Sequence, residues 1–164
     1  MNKAATFGVT DLAELAGIQP IQLNKFIERK KYGIVQAGKG RGQSRRFSEE
    51  DVFGIALVWW LFESGLRSET IQFVLNQICG GKLKSRANDA ARILLNNGGE
   101  MLAVKREPRT APAKHPAQET FLYTADQASQ LARKTSTASV LFVPVGNLLA
   151  RLREAIREHL ARQS

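Results

Sequence analysis

An α+β fold is predicted by three observations. Two short helical segments are joined through a glycine turn and followed by a basic hairpin pattern. A third helix, "VFGIALVWWLFE", is apolar on nearly every face. The second half of the chain then mixes β-type runs with helices and ends in an amphipathic helix, the pattern of a small α/β unit.

Each element has a local reason. "TDLAELAG" is read as a helix with Thr10 as N-cap, an apolar stripe of Leu12, Leu15 and Ala16, and Gly17 as its stop. Pro20 suits the first position of a second helix, "PIQLNKFIERKK". Leu23, Phe26 and Ile27 share one arc of that helix, and Gln22, Lys25 and Arg29 the neighbouring one. This is a helix-turn-helix pattern. "YGIVQ" and "SRRF" read as two strands of a hairpin whose tip, "AGKGRGQSRRF", carries Lys39, Arg41, Arg45 and Arg46, which makes it a basic wing. "SEED" opens the third helix, with Ser48 as cap and Asp51 close to a capping-box position. Gly65 ends it, Ser68 is expected to cap a fourth helix, and that helix runs to the glycine pair at 80 and 81.

Composition shifts there, so the chain is divided into residues 1–80 and 81–164. In the second part "SRANDAARILLNN" reads as a helix, and "EMLAVKRE", "TFLYTA" and "ASVLFVPV" read as strands. "PRTAPAKHPAQE" is a proline-rich loop and "DQASQLARK" a short helix. "NLLARLREAIREHLARQ" closes the chain with Leu148, Leu149, Leu152, Ala155, Ile156 and Leu160 on one side.

At 164 residues, 43% apolar and 24% charged, the chain is long enough to bury a core without cross-links. Its single cysteine, Cys79, excludes an internal disulfide framework and fits a reducing compartment. No apolar run is long enough to span a bilayer, so a cytoplasmic location without membrane contact is expected. Polyanions are the natural partners at a net charge of +9 and a pI near 10.1. The charge is also concentrated. From Lys25 to Arg46 the cations Lys25, Arg29, Lys30, Lys31, Lys39, Arg41, Arg45 and Arg46 are opposed only by Glu28.

Several functions lack their parts. "GKGRGQS" does not have P-loop spacing and leads into a strand rather than a helix. His115 and His159 have no convincing catalytic partners, and Cys79 has no companion ligand, so neither an enzyme nor a metal or cofactor site is expected. Cys79 reads as a small buried residue. Trp59 and Trp60 read as core; an aromatic ligand pocket against the C-terminal half is the sharper alternative.

The first 78 residues resemble the MerR family of winged-helix transcription regulators. The matching pieces are "FGVTDLAELAGI", "QLNKFIERKKYGIV", "SRRFSEEDV" and "GLRSETIQFVL". Family members usually carry an arginine and two aromatics where this chain has Asn24, Lys25 and Phe26. The C-terminal half matches no module of the family. The resemblance implies a DNA-binding domain over residues 1–80, and the read-out of palindromic sites by a homodimer. Residues 81–164 would then serve dimerisation or effector sensing, with the effector unidentified.

Gln19, Gln22, Lys25 and Arg29 are the expected base-edge contacts, because glutamine pairs with adenine and lysine or arginine with guanine in the major groove. Lys39, Arg41, Arg45 and Arg46 are the expected contacts to phosphates or the minor groove. An ordinary solvated helix face and a merely flexible basic loop remain the plainer readings. The expected function is sequence-specific binding of double-stranded DNA in transcription regulation. An architectural role like that of excisionases, or RNA binding, are the alternatives.

Overall fold

The computed structural model describes residues 5–28, 32, 45–81, 86–97, 101–106, 118–123, 127, 129–130, 133 and 139–163. In order these form β1 (Thr6–Phe7), α1 (Val9–Ala16), α2 (Pro20–Glu28), β2 (Phe47–Ser48), α3 (Glu49–Glu63) and α4 (Ser68–Ile78). There follow α5 (Ala87–Asn97), β3 (Met101–Arg106), β4 (Gln118–Tyr123), β5 (Ser139–Val143) and α6 (Val145–Gln163). The fold is mostly helical with two antiparallel sheets, and it is of the α+β class. One sheet pairs β1 with β2; the other has the order β4-β3-β5, with β3 antiparallel to both neighbours.

The tight connection between α1 and α2 follows from one residue. Gly17 has φ 67°, a left-handed conformation that glycine adopts without steric cost. It lets the Ile18 N–H reach back to the Ala13 carbonyl at 2.8 Å and turns the chain into Pro20, the first residue of α2. The start of α1 lies earlier than Thr10 suggested. Gly8 is the N-cap, and the Asp11 carboxylate accepts its N–H at 2.8 Å, so Thr10 stands inside the first turn. Similarly, Arg67 takes the cap position of α4 and Ser68 is its first helical residue. Cys79, expected to be buried, caps the C-terminus of α4 and is half-buried.

The strand expected at "SRRF" is short, covering Phe47 and Ser48 as β2, and its described partner is unexpected. Phe47 and Ser48 pair with Phe7 and Thr6, a strand too brief to leave a periodic signal. Both phenylalanines are fully buried, so this two-residue ladder is held by core packing. "YGIVQ", apart from Tyr32, and the expected wing tip through Ser44 lie outside the described residues, as do most of the proline-rich loop and of "DQASQLARK".

Helix α3 is the centre of the molecule. Every residue from Asp51 to Val58 is buried, and α1, α4, α5 and α6 all pack on it, α5 most extensively. Such enclosure is what a helix apolar on all faces requires. Its capping box forms as expected: Asp51 Oδ2 accepts from the Ser48 N–H at 2.9 Å and from its hydroxyl at 2.8 Å, while the Asp51 N–H donates to Ser48 Oγ at 3.2 Å. Asp51 Oδ1 accepts from the Asn88 amide at 2.8 Å, which ties the start of α3 to α5.

The closing helix turns Leu149, Leu152 and Ile156 inward, and packs against α5, α1, α3 and β3. One continuous cluster of buried apolar residues therefore runs from Phe7 to Ile156. Near the end of α6, His159 is half-buried beside the Phe7 ring, 3.7 Å from Asp11 and 2.8 Å from the Gln163 side chain. These neighbours make it a packing residue between α6 and the start of α1.

Candidate nucleic-acid interface

Helix α2 is amphipathic, and its two faces have separate fates. Leu23 and Ile27 are completely buried and anchor it in the core. Opposite them, Gln22 and Lys25 are exposed one turn apart, as the arc pattern predicts. Asn24 is half-buried. Gln19 is exposed at the turn, where its carbonyl accepts from the N–H groups of Gln22 and Leu23, both at 2.9 Å, and closes the first turn of α2.

Ile21 escaped the sequence reading. It is 68% exposed and shares the outer face with Lys25, four residues on. An isoleucine in an amphipathic helix reads as core by default; its place off the Leu23–Ile27 stripe was the available signal. On a face apposed to a major groove, such a side chain can contact thymine methyl groups.

Of the cations expected in a wing, Arg45 and Arg46 are among the described residues. Arg46 is exposed and Arg45 is half-buried with interactions of its own, both directly before Phe47 in β2. Arg29, Lys39 and Arg41 lie outside the described residues. Arg67 is exposed at the N-cap of α4.

Aromatic rings hold the inner edge of α2. Phe26 stacks on Tyr32 with centroids 6.1 Å apart, and meets Trp59 of α3 edge-on at 6.0 Å. Trp59 in turn tilts against Phe62 at 5.8 Å. Pairs of this kind contribute about 0.5–1.5 kcal/mol beyond their buried area, so they fix α2 against α3. Trp59 thus faces α2, and the alternative of an aromatic pocket against the C-terminal half does not describe it. Gln22 and Lys25 line the same groove as these rings; Gln19, Arg45 and Arg46 are not among its lining residues.

Among the described residues, no group of three or more His, Cys, Asp or Glu could hold a metal ion, and no helix is long and apolar enough to cross a membrane. In comparisons with known proteins the chain matches no family model and no curated protein.

Proposed function

We propose that this protein binds double-stranded DNA sequence-specifically, as a transcription regulator of the winged helix-turn-helix, MerR-like kind. The observation that carries the reading is the presentation of α2. A tight Gly17 turn sets it behind α1, Leu23 and Ile27 lock it into the core, and Ile21, Gln22 and Lys25 stand outward. A helix held rigidly by one face and polar on the other suits insertion into a major groove. The basic residues that follow, Arg46 among them, would lie on phosphates and supply affinity and register. The proposal includes a homodimer. Because the Leu149, Leu152 and Ile156 stripe is taken up within the chain, a dimer would use other surfaces of the C-terminal half.

The test is selection of bound duplexes from a random library by the full chain, followed by binding measurements on the enriched sequence. One enriched motif is expected, and palindromy in it would report the dimer. Gln22→Ala or Lys25→Ala should each cost about 1–3 kcal/mol and relax preference at particular base pairs. Arg46→Ala should weaken all duplexes alike and reduce the log–log salt slope by about 0.9. Absence of any enriched motif, or preference for structured RNA in competition, would sink the proposal. In a footprint on genomic DNA, clusters of sites confined to recombination ends would point to the architectural alternative.

A further inference from the structure

Between α2, α3 and the start of α4 lies an open cavity of about 170 Å³. Its walls are the rings of Phe26, Tyr32, Trp59 and Phe62, and its rim carries Gln22, Lys25 and Ser68. Two features define what fits. The walls are aromatic on several sides, and Phe62 is 46% exposed, which leaves part of its surface for a flat π-system. The volume is also well below the roughly 300–1,000 Å³ of sites for drug-sized ligands, which restricts the occupant to one or two fused rings.

The polar groups specify the charge. Lys25, a charged residue of the described lining, suits an anionic occupant. Ser68 offers a hydroxyl at the first position of α4, where the helix end also favours negative charge, and Gln22 offers an amide. We propose that this groove binds a small planar aromatic carboxylate, its rings lying against Phe26, Trp59 and Phe62 and its carboxylate toward Lys25. Gln22 and Lys25 are the residues assigned above to base edges. On that reading of α2 as the DNA-contacting helix, an occupied groove and a bound duplex compete, and the carboxylate is an effector that releases DNA.

Titration calorimetry of the full chain with indoleacetate, and with its neutral analogue indoleacetamide, tests the site without DNA. Indoleacetate should bind with one-to-one stoichiometry and about ten-fold or more tighter than the amide, the difference expected for one charge-assisted contact. Lys25→Gln, at an exposed position, should abolish that preference, and Phe62→Ala should weaken both probes. No heat at millimolar indoleacetate, equal affinity for acid and amide, or full binding by Phe62→Ala would overturn the assignment. Saturating indoleacetate should also lower affinity for the selected duplex by about ten-fold or more. An unchanged duplex affinity overturns the coupling. A chain that binds no duplex even without the probe refutes the proposed function, while calorimetry still decides the groove.

Discussion

Gly54 stands mid-helix in α3, where alanine is ordinarily better by about 0.5–1 kcal/mol. Here the neighbours reverse that sign. A Cβ on Gly54 would collide with the Asn88 side-chain oxygen and lie 2.8 Å from the Asn88 backbone nitrogen. Asn88 cannot turn away freely, because its amide nitrogen donates to buried Asp51 at 2.8 Å. That bond leaves the Asn88 oxygen buried with no partner among the described residues. Gly54→Ala should therefore destabilise the protein by about 1–3 kcal/mol, read as a lowered midpoint in urea. An unchanged or raised midpoint would show that α3 and α5 can separate at this point. The amino-acid pattern shows a glycine within an apolar helix and nothing of this approach, since Asn88 belongs to another helix, α5, well beyond α3 in the chain.

Elements were legible wherever their ends are chemically local. Ser48 and Asp51 sit three residues apart, and both halves of their capping box form. Ser48→Ala should cost about 0.5–2 kcal/mol in denaturation experiments. Asp51→Ala should cost more than Ser48→Ala, because it also strips Asn88 of its acceptor. Equal losses would mean that the bond to Asn88 adds nothing to the cap. Pro20 and Gly17 mark their helix ends for the same local reason. Starts whose cap residue makes no side-chain cap bond of its own were misplaced by a residue or two, as at Gly8 and Arg67, because the first turn can begin wherever packing permits. The pair β1–β2 joins residues some forty positions apart, and neither two-residue piece has a pattern of its own.

At the scale of the whole molecule, α6 couples the end of the chain to its beginning. Leu152 is 3% exposed in the shared core, and α6 touches both α1 and α3. Leu152→Ala should cost about 2–5 kcal/mol. The loss should be visible in the fluorescence of Trp59 and Trp60, both in α3, although the substitution is in α6. If the tryptophan transition stays in place while helicity is lost earlier, the two ends unfold independently.

The candidate face of α2 divides along the same line. Gln22 and Lys25 could be placed on its outer arc from helical periodicity, because the Leu23–Ile27 stripe must turn inward. The sequence by itself also determined the α+β class, most helix stops and the concentration of positive charge, since each depends on residues within a turn or two of one another. Only the tertiary structure decided that Trp59 faces Phe26, that Phe7 meets Phe47 and that Asn88 lies on Gly54. Those are contacts between distant segments, and they are selected by how the apolar faces close around α3, which no local pattern encodes.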